Sequence, residues 1–312
     1  MNGDPLVSVI IPTHNRQALA VKAVRSALTQ TYDRLEVWLV EDGSDPPVEV
    51  PPALHSDTRL RILHNDVAMG GGAARNRAIG EAAGELIAFL DDDDVWLPGK
   101  IAAEVARLRG EPPSVAGVES GWEMVDDEGR VLFRYLPRQG RDLATEILAQ
   151  PVLAPSSTTW RRPILEELGG FGDHPRHHDW DLFARISERY EVATIPEVFV
   201  RRLDHPPYPA STRIEHRHDL LAVFRERIAR LPSADRARVL AFHDRVLGAY
   251  HAEAGQREEA RRLLWRSWRR RRDWRALAGI ARTVVGERAW SAVTGTGRGA
   301  VRRILGPPTH RW

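Results

Sequence analysis

Four adjacent aspartates at residues 91–94 directly follow the apolar stretch at residues 86–90. Adjacent carboxylates repel one another, so at the end of a buried strand they need a compensating positive charge. Carboxylate and phosphate oxygens are the ligands that hard divalent ions such as Mg²⁺ or Mn²⁺ prefer. The chain turns apolar again at residues 95–97, which holds the acids between core segments and disfavours a solvated acidic turn. The run therefore predicts a metal site that serves a phosphate-bearing ligand.

Polar residues also follow two earlier stretches that have the composition of buried strands. Residues 7–11 are β-branched and almost continuously apolar, and residues 35–40 are predominantly apolar. Thr13 comes just after the first stretch and Asp42 just after the second. Because the carboxyl ends of parallel strands meet at one edge of a sheet, we expect Thr13, Asp42 and the aspartate run to converge on one ligand.

The segments between these strands have the signals of helices. A glycine triplet at residues 70–72 precedes an alanine-rich helix predicted at residues 73–83, with Gly84 as its C-cap. Pro98 is predicted to start a further helix. Alternating strands and helices predict an α/β fold with a doubly wound, mostly parallel sheet. The glycines resemble part of a dinucleotide-binding loop, but that motif follows the first strand, which argues against a dehydrogenase.

The composition is that of a soluble globular protein, because 42% of the 312 residues are apolar and 28% are charged. Cysteine is absent, which rules out disulfides and thiolate metal sites and fits a reducing cytosol. The first residues lack the pattern of a signal peptide, and no run approaches the roughly 18 apolar residues of a membrane-spanning helix. We therefore expect a cytoplasmic protein, either free or bound peripherally at the inner face of the cell membrane.

The composition of the chain changes at about Thr212, beyond which strand-forming segments are few and arginines are many. This change predicts a ligand-binding domain at residues 1–212 and a helical, arginine- and tryptophan-rich region at residues 213–312. Residues 249–268 resemble a single helix–turn–helix repeat of the tetratricopeptide kind.

The arginines and tryptophans of the helical region allow three interpretations. The residues concerned are Arg257, Arg261, Arg262, Trp265, Arg266, Trp268, Arg269, Arg270, Arg271, Arg272 and Trp274. Basic residues interleaved with tryptophan suit an anionic membrane surface. The tryptophans would equally serve to pack the region against the ligand-binding domain, with the arginines in solvent. The same composition occurs in nucleic-acid binding, but no nucleic-acid partner is expected here.

Several motifs, in a fixed order, resemble those of glycosyltransferase family 2. They are residues 7–15, 40–44, 72–76, 89–96, 155–157, 161–162, 169–171, 179–182 and 200–205. The resemblance covers about residues 5–212 and leaves the helical region outside. It implies the nucleotide-sugar-binding fold called type A, and an enzyme that transfers a sugar from a nucleoside-diphosphate donor.

The resemblance also implies roles for residues that would bind the donor. Pro12 and Thr13 would line the nucleobase pocket, and Asp42 would accept a hydrogen bond from the base. Arg75 would lie near the base or the diphosphate.

A second group implied by the resemblance handles the ribose and the metal. Asp91 or Asp92 would hold the ribose, and Asp93 would bind the divalent ion that bridges the diphosphate. His205 would approach the diphosphate or complete the metal shell, as a histidine in this place does in some relatives. A metal stabilises the negative charge that develops on the departing phosphate.

The general base implied by the resemblance is Asp179, which would take the proton of the acceptor hydroxyl. The family usually has an acidic residue just before this position, whereas this chain has His177 and His178. His178 would pair with Asp179 and lower its pKa, contact the acceptor, or be a surface loop residue. Asp181 is the rival base, although the family position favours Asp179.

Together these features predict an inverting, metal-dependent glycosyltransferase with Mg²⁺ or Mn²⁺ as cofactor. Its partners would be a nucleotide-sugar donor and a sugar or lipid-linked acceptor, in the synthesis of a cell-surface polysaccharide or glycolipid. The alternative is a non-catalytic nucleotide-sugar-binding or scaffold protein. Retention of Asp42, Asp93 and Asp179 argues against that alternative.

Overall fold

The computed structural model describes residues 3–285, which form two compact units. Within this range the first unit consists of residues 3–141 and 153–204, and the second of residues 142–152 and 205–285. The second unit thus takes a short segment from within the sequence of the first. The domain boundary predicted at residue 212 lies a few residues beyond this division and stays a prediction about where the ligand-binding domain ends.

A nine-stranded sheet forms the centre of the first unit. Its strands are β1 (Val7–Thr13), β2 (Leu35–Asp42), β3 (Leu60–Asn65), β4 (Leu86–Phe89), β5 (Asp94–Trp96), β6 (Val115–Val125), β7 (Val131–Tyr135), β8 (Thr158–Arg161) and β9 (Glu191–Leu203). The order is β3-β2-β1-β4-β8-β6-β9-β5, and β7 pairs with β6. The strands β1 to β4 pair in parallel, as do β6 and β9. The remaining pairs, which involve β5, β7 and β8, are antiparallel.

The helices of the first unit are α1 (Gln17–Leu28), α2 (Pro52–His55), α3 (Gly71–Glu81), α4 (Lys100–Arg109), α6 (Arg162–Glu167) and α7 (His178–Ser187). Every residue of β2 is buried, as expected of a strand with both faces covered. Val9, Val37 and Ala88 lie in the main core cluster at 0% exposure, side by side on β1, β2 and β4. The predicted α/β fold is therefore confirmed, and the parallel strands deliver their carboxyl ends to one edge.

Two local predictions were wrong. The helix α3 ends at Glu81 rather than at Gly84. A Cβ at Gly84 would lie 2.4 Å from Ser8 Oγ, so the glycine there permits a close approach to β1. The helix α4 begins at Lys100 rather than at Pro98, after Gly99 with a left-handed φ of +87°.

The second unit is helical. It contains α5 (Leu143–Ala149), α8 (Ala210–Val223), α9 (Arg225–Arg230), α10 (Ser233–Glu253), α11 (Arg257–Arg271) and α12 (Trp274–Val285). Leu264 packs between two glycines, because a Cβ at Gly248 or Gly279 would come within 2.7 or 2.9 Å of its side chain. Among residues 3–285, no helix is long and apolar enough to cross a membrane.

Candidate functional site

Three carboxylates gather where β4 ends and β5 begins. Asp91, Asp93 and Asp94 each offer an oxygen atom, and these atoms lie within 4.8 Å of one another. The Ser156 hydroxyl accepts a hydrogen bond from the Asp91 backbone N–H at 3.0 Å, and the Ser156 carbonyl accepts one from Trp96 Nε1 at 2.8 Å. These bonds fix the backbone that carries the acids. Three close oxygen donors of this hard type fit a divalent cation such as Mg²⁺ or Mn²⁺.

Arginines surround the acidic cluster. Arg75 Nη2 lies 2.5 Å from Asp91 Oδ1, and Arg16 Nη1 lies 2.9 Å from Asp93 Oδ2. Arg202 Nε lies 3.3 Å from Asp94 Oδ2. Complete burial nonetheless raises the pKa of Asp94 to about 7, and the charges of the neighbouring acids contribute. Burial therefore disfavours the ionised form of Asp94, and a divalent cation at its carboxylate would favour that form.

The sequence predicted no individual role for Arg16, Asp94, Arg202 or Ser156. Asp94 is part of the aspartate run, so its closeness to Asp91 and Asp93 could be expected. Its place in the cluster depends on how the chain turns into β5. Arg202 and Ser156 both lie within motifs that carry the family resemblance. Four adjacent carboxylates need nearby positive charge, and this need was the feature of the sequence that pointed to arginines at the site.

The ends of β1 and β4 meet, as expected, through a hydrogen bond between side chains. Thr13 Oγ1 donates to Asp92 Oδ2 at 2.8 Å, and Arg16 Nη1 donates to Asp92 Oδ1 at 3.1 Å. Burial raises the pKa of Asp92, and the hydrogen bond from Thr13 opposes that rise. Pro12 precedes Thr13 within β1. The structure thus brings Thr13 and the aspartate run together.

The Asp42 carboxylate at the end of β2 organises the loop that leads to α3. Its Oδ1 accepts hydrogen bonds from Asn65 Nδ2 at 2.7 Å and from the Met69 backbone N–H at 2.9 Å. Its Oδ2 accepts one from the Gly70 backbone N–H at 2.8 Å. The carboxylate therefore fixes the start of α3. Its predicted contact with a nucleobase stays a prediction.

Arg75 and the half-buried His178 form a pair beside the acidic cluster. Arg75 Nη1 lies 3.2 Å from His178 Nε2, and its guanidinium carbon lies 5.5 Å from the centre of the Phe171 ring. Burial and, to a smaller extent, the charge of Arg75 lower the pKa of His178 to about 3. The imidazole is therefore neutral at physiological pH and accepts a hydrogen bond from Arg75. Gly72 makes room for the ring, because a Cβ there would lie 3.1 Å from His178 Cγ.

Asp179 is the second residue of α7 and has an unusual environment. It is 2% exposed, and its Oδ1 has no hydrogen-bond partner among the described residues. Burial raises the pKa of Asp179 to about 6; the charge of Asp91 raises it as well, while that of Arg75 lowers it. Asp179 therefore lies within the field of the acidic cluster and of Arg75, with one carboxylate oxygen available.

Asp181 differs sharply from Asp179. Its Oδ2 lies 2.9 Å from Arg185 Nε, four residues further along the same helix. Arg185 in turn donates 2.6 Å hydrogen bonds to the carbonyls of Leu168 and Gly170. Asp181 thus holds the loop before α7, and this engagement favours Asp179 as the candidate base.

His205 lies in the second unit, so its predicted part in the metal shell stays a prediction. Among residues 3–285, the aspartate cluster is the only group of three histidine, aspartate or glutamate side chains close enough to hold a metal ion. The histidine-rich stretch at residues 174–178 therefore supplies no such group.

Comparison with known proteins decides the family. The sequence model of glycosyl transferase family 2 matches residues 8–169, which is more than half of the chain. The chain belongs to glycosyl transferase family 2. The resemblance noted in the motifs is thereby confirmed, and the whole aspartate cluster lies within the matched segment.

Two relatives of this family-2 protein come from Escherichia coli. A putative colanic acid biosynthesis glycosyl transferase, WcaA, is 39% identical over 109 residues, which are 34% of this chain and 39% of the relative. The UDP-Glc:alpha-D-GlcNAc-diphosphoundecaprenol beta-1,3-glucosyltransferase WfgD is 35% identical over 105 residues, or 34% of this chain and 42% of the relative. The matches thus span about two fifths of these relatives.

Solved structures support the fold. A mannosyltransferase from Pyrobaculum calidifontis, in complex with GDP-Man and Mn²⁺, has a TM-score of 0.55 at 23% identity. The alignment covers 97% of this chain and 81% of that one. TarS of S. aureus in complex with UDP-GlcNAc has a TM-score of 0.56 at 17% identity, over 91% of this chain and 82% of that one. Both similarities show a common fold.

In the arginine- and tryptophan-rich region of this family-2 protein, some side chains take part in helix packing and others are exposed. Arg266 and Arg270 form ion pairs with the buried Asp244 of α10 and so contribute to helix packing. Trp265 and Trp274 are instead 49% and 61% exposed. The region therefore combines structural arginines with exposed aromatic rings.

Proposed function

We propose that this protein is an inverting, metal-dependent glycosyltransferase that moves a sugar from a nucleoside-diphosphate donor to a hydroxyl acceptor. The observation that carries the proposal is Asp179. Its carboxylate is buried, has an oxygen without a hydrogen-bond partner among the described residues, and lies in the field of the acidic cluster. A buried carboxylate with a pKa raised to about 6 is suited to accept a proton near neutral pH.

The donor would bind at the carboxyl edge of the parallel strands. Pro12 and Thr13 would line the nucleobase pocket, with Asp42 accepting a hydrogen bond from the base. Arg75 would face the diphosphate, and its buried guanidinium is a strong partner for phosphate oxygens. Asp91 or Asp92 would hold the ribose.

Asp93, together with Asp91 and Asp94, would hold the divalent ion, and His205 would complete its shell. The three carboxylates fit such an ion in donor type and spacing. When bound, the ion would stabilise negative charge on the departing nucleoside diphosphate. Arg16 and Arg202 would balance the remaining charge of the cluster, since they already lie beside Asp93 and Asp94.

Asp179 Oδ1 would take the proton from the acceptor hydroxyl as that oxygen attacks the anomeric carbon. The hydroxyl oxygen forms the new glycosidic bond while the bond to the diphosphate breaks, and the proton stays on Asp179. A single displacement with the base opposite the leaving group inverts the configuration at the anomeric carbon. The neutral His178 would keep Arg75 oriented without adding a positive charge beside the base.

The acceptor would be a sugar or a lipid-linked sugar in the synthesis of a cell-surface polysaccharide or glycolipid. The names of the two Escherichia coli relatives support this class, since one refers to colanic acid and the other to a diphosphoundecaprenol-linked sugar. We further propose a cytoplasmic protein that binds an anionic membrane surface through Trp265, Trp274 and the arginines around them. Exposed indole rings beside arginines support this partner.

Isothermal titration with UDP-, GDP-, dTDP- and CDP-sugars would test the proposal. We expect one nucleotide class to bind in the presence of Mn²⁺ and to bind much more weakly with a chelator. Asp93→Ala should remove the Mn²⁺-dependent part of the affinity, whereas Asp181→Asn should retain it. Equal binding of the preferred donor with Mn²⁺ and with chelator would contradict the metal dependence.

A further inference from the structure

The second unit contains a cavity that lies apart from the acidic cluster. Its volume is about 230 Å³, and α5, α10 and the connection between α11 and α12 form its walls. The lining residues are Thr145, Glu146, Ala149, Gln150, Arg238, Val239, Ala241, Phe242, Arg245, Arg271, Asp273 and Arg275. Arginines supply four of these side chains, whereas Glu146 and Asp273 are the only acids. The cavity is therefore positively charged.

Arg245 is the most buried of the four lining arginines. Its side chain is 6% exposed, its Nε lies 3.6 Å from Asp273 Oδ2, and its guanidinium carbon lies 5.0 Å from the centre of the Phe242 ring. Burial lowers the pKa of Arg245; the charge of Asp273 opposes this effect and that of Arg275 adds to it. A buried guanidinium in this position would gain stabilisation from an anion in the cavity.

Four arginines of α11 and α12 fall into two pairs. Arg266 and Arg270 are ion-paired with Asp244. Arg271 and Arg275 line the cavity, are exposed, and have no carboxylate partner within ion-pair distance among residues 3–285. No neighbouring carboxylate among the described residues therefore neutralises their positive charges, which add to that of Arg245 at the same cavity.

The wall formed by α5 is held firmly. The Leu148 carbonyl lies 2.8 Å from His243 Nε2, and the Ala149 carbonyl accepts a hydrogen bond from Arg217 at 3.4 Å. Asp142 caps the helix by accepting from the Thr145 backbone N–H at 3.2 Å. The cavity is thus formed before a ligand arrives, and a preformed site loses less entropy on binding.

We propose that this cavity binds a phosphate-bearing ligand, with Arg245 at its base and Arg271 and Arg275 at its rim. Guanidinium groups bind phosphate through paired, charge-assisted hydrogen bonds, which a set of three arginines around one cavity would supply. The phosphoryl group would belong either to the diphosphate of a lipid-linked compound or to a free phosphate compound. The site does not depend on the transferase activity, because none of its residues belongs to the acidic cluster.

Titration calorimetry with inorganic pyrophosphate tests this site in the full chain. A chelator is present throughout, so that metal-assisted binding at the aspartate cluster is suppressed. We expect saturable binding that persists in Asp93→Ala. The double variant Arg271→Gln/Arg275→Gln should weaken it by about 10-fold or more, since charge-assisted hydrogen bonds are lost. Both side chains are exposed, so the variant should keep the wild-type circular dichroism spectrum and melting temperature.

Arg269→Gln is the matched control, because Arg269 is an exposed arginine of α11 that does not line the cavity. It should bind pyrophosphate like the wild type. Absence of wild-type binding, loss of binding in Asp93→Ala, or equal weakening in Arg269→Gln and the double variant would each overturn the site. Farnesyl diphosphate below its micellar concentration distinguishes the sources. Tighter binding than pyrophosphate indicates a lipid-linked diphosphate, and equal binding indicates a free phosphate compound.

Discussion

Two carboxylates only two positions apart on α7 have opposite environments. Asp181 is ion-paired with Arg185, whereas Asp179 Oδ1 is buried without a hydrogen-bond partner among the described residues. Asp179→Asn keeps the shape and removes the basicity. We therefore expect kcat to fall by roughly 10²–10⁴ while the donor dissociation constant is retained. Steady-state kinetics with the preferred donor, beside calorimetry, would measure both.

The matched variant for this comparison is Asp181→Asn. Loss of its ion pair with Arg185 should lower the melting temperature and leave kcat nearly unchanged. A large loss of kcat in Asp181→Asn, with an active Asp179→Asn, would transfer the role of base to Asp181.

The pKa of Asp179 also sets the direction of the pH dependence. A base acts only when ionised, and burial raises the pKa of Asp179 to about 6. The value of kcat/KM should therefore rise with pH through about 6 and level off above it. His178→Ala should not change the pH at which kcat/KM rises. The pKa of His178 is lowered to about 3, so the ring is neutral throughout this pH range. A pH–rate profile that is flat between pH 5 and about 7 would contradict this assignment.

At the scale of elements, α3 positions Arg75 and makes room for His178. Gly72 and Gly80 lie in the same helix, but a Cβ at Gly72 would press on the His178 ring, whereas one at Gly80 meets nothing within 4 Å. Gly72→Ala should displace the ring and weaken donor binding. Gly80→Ala should leave donor binding unchanged and increase the free energy of unfolding by about 0.4–1 kcal/mol.

Calorimetry of the donor and denaturant unfolding of both variants would check this pair. Equal donor affinity in Gly72→Ala and Gly80→Ala would mean that the fit between α3 and His178 has no part in binding the donor.

The parallel strands and their polar ends were predictable, because residues 7–11, 35–40 and 86–90 are locally apolar. The antiparallel pairs of β5 and β8 were not, since their partners lie far away in sequence. For the same reason the ion pair between Arg202 and Asp94 left no local signal. The aspartate run indicated a metal site, but which of its members face one another depends on the turn into β5.

At the scale of the whole molecule, the exposed tryptophans and arginines of the helical unit predict binding to acidic lipid. Each basic residue near an anionic surface contributes about 1 kcal/mol, which salt screens. Replacement of Trp265 and Trp274 by serine should reduce partition onto acidic vesicles by about 10-fold, since two exposed apolar rings are lost. Vesicle flotation at low and high salt would measure it.

Tyr208→Ser is the control for this experiment, because Tyr208 is a similarly exposed ring outside α11 and α12. Full-length protein that ignores acidic vesicles at low salt would leave these helices as a packing element only.

Metal-dependent sugar transfer with Asp179 as the base is tested most sharply by the anomeric configuration of the product, followed by NMR with the preferred nucleotide sugar, Mn²⁺ and an acceptor. We predict a product of inverted configuration, formed by the wild type and by Asp181→Asn, and almost none from Asp179→Asn or in the presence of a chelator. A product with retained configuration, or full turnover by Asp179→Asn, would contradict this mechanism.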